Sequence, residues 1–267
     1  MRKGSVEGMP VDAHTRQIIE LAWSRILGLD DGAFAAASSS TSSSPASSSG
    51  GRRIEVPTDA DSQQGEDDQI ATFVRLYGSS VLYGPAWLLE AARGLHDEEL
   101  ALESTMIRLG AGHAARSLGE WVLYYAEDIP DIARSSSVSV SYEASDAREL
   151  ETQCPADDVT EVGLSALDST FTLIPDDGTG TPTGQPVAGA GYEEWQGLIG
   201  HLGVLVRPDL RLKGLGAYAG AIAMEEAFTE GLIPQWRAAL GNTGAQRVAA
   251  SLGFELAGSQ TTVLFNQ

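Results

Sequence analysis

The chain has 267 residues, with 37 Asp and Glu against 17 Lys and Arg, so its formal net charge is −20. This acidity disfavours nucleic acid and anionic membranes as partners, because both would be repelled. The single cysteine, Cys154, excludes an intrachain disulfide and a cysteine-based metal site, and we expect no metal. Hydrophobic residues make up 42% of the chain, enough for the core of one large or two small domains.

The N-terminal half shows predicted helices and strands around two polar segments. An apolar stripe ended by Gly28 predicts a helix over 13–28. Residues 35–51 are almost all Ser, Ala and Gly, which predicts a mobile linker, and the acidic stretch 59–68 predicts a surface loop. The pattern then predicts strands at 70–77 and 80–82, helices at 85–95 and 100–109, and strands at 121–125 and 138–142.

The last third alternates strands and helices more regularly. A helix is predicted at 157–168, and strands at 171–174, 187–195, 198–206, 231–237 and 261–265. Helices are predicted at 217–230 and directly after Asn242. This order is typical of helices packed on a partly parallel sheet, so we predict a mixed α/β fold. No apolar run reaches membrane-spanning length and residues 1–10 lack the apolar core of a signal peptide, so we expect a cytoplasmic protein.

The segment between the strand at 198–206 and the next helix is the most informative one. From Val206 to Gly216 it reads VRPDLRLKGLG. A helix start offers N–H groups and partial positive charge, and the glycines let a phosphate approach the backbone, so we predict an anion cradle. A Walker loop is excluded because Ala217 and Tyr218, rather than Lys and Ser or Thr, follow Gly216. A dinucleotide fingerprint is disfavoured because the loop before Gly214 is too long and no acid-tipped strand follows.

A second motif follows downstream, where residues 242–254 read NTGAQRVAASLGF. Asn242 is a good N-cap, an apolar face includes Ala249, and Gly253 suits the left-handed position that ends a helix. The spacing V-x-P-x-x-R-x-x-G-x-G, together with this second motif, resembles the GNAT superfamily of acyl-CoA-dependent N-acyltransferases. The resemblance covers roughly 186–267, and 155–185 loosely.

This resemblance implies transfer of an acetyl group from acetyl-CoA to a primary amine. It implies a GNAT-like acetyl-CoA-binding domain over 151–267, with residues 1–150 as an additional α/β region that is a lid or a degenerate GNAT-like domain. By resemblance, Gln235 and Trp236 flank the acyl site. The resemblance assigns cofactor binding to Val204, Leu205, Val206, Arg211, Leu212, Lys213, Gly214, Leu215, Gly216, Ala217 and Asn242.

The candidate catalytic residues are less clear than the cofactor loop. Glu193, Glu194 and His201 are candidate bases, although the glutamates also fit a solvated strand end and the histidine a structural position. The family often has a tyrosine near the CoA sulfur where this chain has Ala249, and Tyr218 is a poor substitute. Another group or water could protonate the thiolate, the thiolate could leave unprotonated, or acyl-CoA could bind without turnover. The family also favours glycine at the position of Leu212.

Two further interpretations compete with an N-acetyltransferase. One is a CoA-binding sensor or interaction module, motivated by Ala249, and the other is a nucleotide-binding domain. The net acidity favours a cationic small molecule or peptide as the amine substrate, because it concentrates cations. The acceptor's identity and the choice between monomer and homodimer stay open.

Overall fold

The computed structural model describes residues 11–34, 53–58, 68–132 and 137–266. The predicted linker at 35–51 lies outside these residues, as does the acidic stretch up to residue 67. The described residues form two compact units that are interleaved along the chain. The first unit contains residues 11–15, Tyr124–Arg237 and Thr243–Glu255, and the second contains the described parts of Arg16–Leu123, Ala238–Asn242 and Leu256–Gln267. The predicted functional division between residues 150 and 151 stays a prediction.

Helices and strands follow one another along the described residues as a mixed α/β chain, which confirms the predicted fold class. The α-helices are α1 Ala13–Ile26, α2 Ala86–Ala91, α3 Asp97–Leu100, α4 Glu103–Leu109, α5 Ala144–Glu151, α6 Ala156–Val162, α7 Leu215–Thr229 and α8 Thr243–Ser251. The strands are β1 Ile54–Pro57, β2 Asp68–Leu76, β3 Ser79–Gly84, β4 Arg116–Tyr125, β5 Val138–Ser141, β6 Ser169–Pro175, β7 Ala188–Trp195, β8 Ile199–Val206, β9 Ile233–Ala239 and β10 Glu255–Asn266. Short 3-10 helices occupy Leu164–Ala166 and Pro208–Leu210.

The second unit is built on strands in the order β1-β3-β2-β10-β4. β1 runs parallel to β3, while β2 pairs antiparallel with both β3 and β10. Along each strand, the apolar residues that face the core alternate with residues on the opposite face of the sheet, as the two-residue period of a strand requires. They pack with the helices between β3 and β4 into a core that contains Phe73, Leu82, Leu88, Met106 and Phe265.

The first unit is built on strands in the order β9-β8-β7-β6-β5. β5 to β8 pair antiparallel, whereas β8 and β9 are parallel, so their connection must cross over the sheet, and α7 provides that crossover. One face of β8 turns Gly200, Val204 and Val206 toward α7. On the other face Leu205 packs with Ala147 and Leu150 of α5.

The predicted elements differ from the observed ones mainly at helix ends. The helix predicted at 85–95 ends at Ala91. The helix predicted at 100–109 is interrupted because Leu102 is extended, with φ −86° and ψ 124°. The helix predicted at 157–168 ends at Val162, because Gly163 takes a left-handed φ of 57°. The sequence analysis missed the polar helix α5 and the four-residue strand β1. Among the described residues, no helix combines the length and apolar character that crossing a membrane requires.

Candidate functional site

The predicted anion cradle lies where β8 leads through a short turn into α7. Gly214 directly precedes α7 with φ 83°, and a Cβ added there would meet nothing within 4 Å, so the position favours glycine for its conformation. Gly216 is needed for space instead, because its Cβ would lie 3.2 Å from Cγ2 of Val206. The two glycines therefore have separate roles, one in turning the chain and the other in seating α7 against β8.

The first turn of α7 presents backbone donors at the end of this loop. The N–H of Tyr218 donates to the carbonyl of Gly214 at 3.0 Å, which closes the first helical hydrogen bond. The N–H groups of Leu215, Gly216 and Ala217 precede that bond and have no acceptor within the helix. Together with the helix dipole they favour a bound anion. These donors and the adjacent Gly214 make the start of α7 a candidate site for an anionic group such as a diphosphate.

Leu212 adopts the backbone conformation that a glycine would favour. Its φ is 63°, and its side chain is 100% exposed, so it meets no neighbour that would push the loop aside. A left-handed conformation costs a residue with a Cβ about 1 kcal/mol or somewhat more. The loop therefore keeps its turn in spite of the leucine.

The positive charge of Arg211 is paired with another residue of the protein. Its Nε donates to the carbonyl oxygen of Val206 at 3.2 Å, and its guanidinium forms an ion pair with Asp158 of α6. Arg211 therefore fastens the loop to the end of β8 and to α6, and contributes less free positive charge than the sequence suggested. Lys213 is exposed at the tip of the loop.

β8 and β9 separate before β8 ends. Their parallel register runs from Ile199 with Ile233 to Leu202 with Trp236, whereas β8 continues to Val206. On its other edge β8 stays paired with β7 as far as Val206. In the described part of the chain, Val204, Leu205 and Val206 thus have no β9 partner, and their backbone groups on that edge can pair with an extended ligand. This gap leads toward the cradle at the start of α7.

A row of polar side chains crosses the sheet face that carries α5 and α6. Glu193 of β7 lies opposite His201 of β8, which lies opposite Gln235 of β9. Nε2 of Gln235 donates to the hydroxyl of Tyr125 at 2.5 Å, so its Oε1 faces His201 Nδ1 at 2.9 Å. A carbonyl oxygen only accepts, so in this arrangement Nδ1 carries the proton and Nε2 carries the lone pair. Trp195 stacks on the imidazole with 4.2 Å between ring centroids.

His201 is neutral at neutral pH. Its pKa is lowered from 6.5 to about 3, mainly by burial and in part by the nearby Arg237, while the hydrogen bond with Gln235 opposes the shift. Burial also lowers the pKa of Arg237, which Glu193 and Glu161 counteract. The imidazole can accept a hydrogen bond from a ligand, but it is a weak base.

The family model described as the acetyltransferase (GNAT) family matches residues 137–254. This segment contains the cradle, the gap between β8 and β9 and most of the polar row. Residues 137–254 are a GNAT acetyltransferase domain.

Solved structures of similar proteins include two GCN5-related or GNAT enzymes. One is a GCN5-related N-acetyltransferase from Kribbella flavida, 19% identical with TM-score 0.45, over 59% of this chain and 62% of that one. The other is an acetyltransferase from the GNAT family from Colwellia psychrerythraea, 16% identical with TM-score 0.41, over 60% of each chain. Each of these two matches therefore spans about three fifths of the length of the solved relative. No curated protein gives a significant match to this chain.

The GNAT domain brings some of the predicted site residues together and separates others. Glu193 shares the face of His201, where its carboxylate accepts the indole N–H of Trp195 at 2.9 Å. Glu194 follows on the opposite face and is exposed, while its backbone N–H donates to Asp168 at 2.9 Å. Trp236 also points to the face opposite Gln235. Tyr125, which the sequence analysis did not identify, completes the row through Gln235.

The second motif begins and ends a helix of the GNAT domain as predicted. α8 starts at Thr243, directly after Asn242, and Gly253 behind it has the expected left-handed φ of 76°. Ala249 is fully buried in α8 and offers no hydroxyl. Within the described residues, no group of three or more His, Cys, Asp or Glu could hold a metal ion.

Proposed function

We propose that the protein is an N-acetyltransferase that moves an acetyl group from acetyl-CoA to a primary amine of a cationic small molecule or peptide. Its GNAT domain supports acyl-CoA-dependent acyl transfer as the class of reaction. The observation that carries the proposal is that β8 loses its β9 partner after Leu202 and then leads, through one short loop, into the cradle at Gly214.

In this proposal the cofactor is held mainly by backbone. The N–H groups of Leu215, Gly216 and Ala217 bind the diphosphate, and Lys213 adds charge at the mouth. The backbone of β8 from Val204 to Val206 pairs with the pantetheine arm along its open edge. When bound, acetyl-CoA supplies an acyl group activated as a thioester.

The amine approaches from the face that carries the polar row. His201 accepts a hydrogen bond from the amine at Nε2 and orients it. A new C–N bond forms, the C–S bond breaks, and its electron pair goes to sulfur. Because His201 stays neutral at neutral pH, the proton released by the amine passes to solvent, with Glu193 at the exposed edge of the row as a carrier.

A binding protein without turnover is the second candidate. Ala249 offers no donor near the proposed acyl site, and His201 is a weak base, so both observations favour slow chemistry. Release of free thiol from acetyl-CoA with polyamines, aminoglycosides and amino acids separates the candidates. Tight CoA binding without thiol release on any amine would support the binding protein.

The position of the cofactor is tested by Gly214→Glu, with Gly231→Glu as the matched control. Both glycines have positive φ and open space, with φ 83° at Gly214 before α7 and φ 77° at Gly231 after it. A carboxylate at Gly214 would face the diphosphate, so we expect the acetyl-CoA Kd to rise about tenfold or more, which corresponds to roughly 1.4 kcal/mol. Gly231→Glu should leave the Kd unchanged. Calorimetry that finds the same Kd in both variants would place the cofactor elsewhere.

A further inference from the structure

Trp236 carries a buried polar atom that the fold does not satisfy. The residue is 5% exposed, and its Nε1 has no hydrogen-bond partner within the described residues. A buried N–H without an acceptor destabilises a protein, and native structures rarely keep one without a reason. The position is informative, because Trp236 forms the last pair with β8 before the two strands separate.

The packing of the indole indicates where this N–H is directed. The ring contacts Phe254 in an edge-to-face arrangement with 5.8 Å between centroids. Its Cζ3 lies 3.8 Å from where a Cβ on Gly220 of α7 would be. Nε1 is on the far side of the indole from Cζ3, so the N–H is directed away from Gly220. Apolar neighbours thus hold the ring while its one donor is left for another partner.

The buried position Ala249 in α8, the helix that follows β9, has no side-chain donor for a ligand. Ala249 is fully buried in α8, and the backbone N–H of Phe254 is bonded to the Ala249 carbonyl at 3.1 Å. A ligand that enters the gap between β8 and β9 would pass the position where Trp236 closes it. An indole N–H is only a donor, so its partner must offer an acceptor atom.

We propose that the indole N–H of Trp236 donates a hydrogen bond to the thioester end of acetyl-CoA, at the carbonyl oxygen or the sulfur. This inference rests on the proposed function. Negative charge develops on these two atoms as the amine nitrogen bonds to carbon and the C–S bond breaks, and a fixed donor in a dry site stabilises it. The indole keeps its proton, so CoA leaves as a thiolate that takes its proton from solvent, and this thiolate is hydrogen-bonded to the indole when the sulfur is the acceptor.

The experiment follows the indole N–H signals of the ¹⁵N-labelled wild-type protein by NMR. The chain has five tryptophans, and Trp236→Phe identifies one signal. If that variant does not fold, Phe substitutions at Trp23, Trp87, Trp121 and Trp195 assign it by elimination. Acetyl-CoA, CoA and desulfo-CoA are then titrated separately, and the backbone amides of Leu215 to Ala217 report binding at the cradle.

The expected result is a shift of the Trp236 signal that depends on the thioester end. A shift with acetyl-CoA alone assigns the carbonyl oxygen, and a shift with acetyl-CoA and CoA but not desulfo-CoA assigns the sulfur. A shift with desulfo-CoA as large as the other two, or no shift while the cradle amides move, overturns the inference but leaves the proposed function intact. Absence of any binding of acetyl-CoA would instead overturn the proposed function.

Turnover gives a second readout on the same residue. One neutral hydrogen bond corresponds to roughly a 3- to 10-fold change, so Trp236→Phe should lower kcat by about that factor. Trp121→Phe on β4 is the control and should keep the wild-type kcat. An unchanged kcat in Trp236→Phe, in a variant that folds and binds acetyl-CoA, would count against the donor role.

Discussion

His201 occupies the middle of the row formed with Glu193 and Gln235, and its surroundings keep its imidazole uncharged. Gln235 is an amide, so it fixes the ring without adding the negative charge that would favour the imidazolium. Arg237 adds positive charge nearby and works in the same direction as burial. The surroundings of His201 therefore fix the orientation of its imidazole but make it a weak base.

The low pKa of His201 should make stability depend on pH. Because its folded-state pKa of about 3 lies below 6.5, the unfolded state takes up the proton first as pH falls. The contribution of the neutral histidine to the free energy of unfolding is fully present above pH 6.5 and is lost as pH falls toward 3. The part of it that is lost between pH 7 and pH 5 is on the order of 2 kcal/mol.

His201→Asn removes this titration and keeps a hydrogen-bonding side chain. Urea unfolding at pH 7 and at pH 5 should show that wild type loses about 2 kcal/mol more free energy of unfolding than the variant. Equal losses in the two proteins would mean that the histidine titrates normally in the folded state.

Single residues were predictable from the sequence only where a motif carried them. Gly214 and Gly216 follow from their spacing, and His201 was a candidate because a histidine on a strand before the loop is chemically conspicuous. The bonds from Gln235 to His201 and Tyr125 depend on the parallel register of β8 and β9 and on a strand from the other half of the chain. No local sequence pattern encodes this register or the position of the strand that carries Tyr125.

Glycines of β7 and β8 let strand β6 and helix α6 approach closely beside the polar row. Gly191 and Gly203 lie opposite each other, and a Cβ on Gly203 would be 2.9 Å from Cγ1 of Val162 in α6. A Cβ on Gly191 would be 2.2 Å from the carbonyl oxygen of Ser169 in β6. These contacts set how closely β6 and α6 can lie against the strands that carry Glu193 and His201.

Gly191→Ala should therefore destabilise the pairing of β6 with β7. The obstructing atom is a backbone oxygen, which cannot move without disturbing the ladder, so we expect a loss of about 3 kcal/mol. Gly112→Ala is the control, since a Cβ there meets nothing within 4 Å and the glycine has no positive φ. Denaturant unfolding of both variants measures the difference, and a Gly191→Ala protein as stable as the control would contradict the close approach.

Helices and strands could be predicted from the sequence where their apolar residues form a clear periodic pattern. The stripe through Ile19 and Trp23 predicted α1, and the apolar run before the glycine loop predicted β8. α5 escaped prediction because only Ala147 and Leu150 of its eight residues are buried, so its stripe is too short to recognise. The break at Leu102 was equally hidden, because no glycine or proline marks it.

At the scale of the whole molecule, the net charge of −20 is the property that bears most directly on an amine substrate. An acidic protein raises the local concentration of cations, and salt screens this effect. Glu161 and Glu193 near Arg237 extend the acidity to the proposed acceptor face. The amino-acid composition alone gives the net charge, whereas the identity of the substrate depends on loop shapes that no motif describes.

We expect the KM for a polyvalent amine to rise several-fold between low salt and about 0.15 M ionic strength, where the Debye length is about 8 Å. A monovalent amine of similar size is the control and should change much less. Steady-state kinetics with both amines tests this, and parallel responses would show that the acidity does not steer the acceptor.

The position of α5 decides where the chain can be cut. A polypeptide that started at residue 151 would retain only the last residue of Ala144–Glu151 and would leave β5 behind. Leu164 and Leu205 would then lose the apolar partners that Ala147 and Leu150 provide, and β6 would become an unprotected edge open to aggregation. A truncated GNAT domain intended for expression should accordingly begin before Val138.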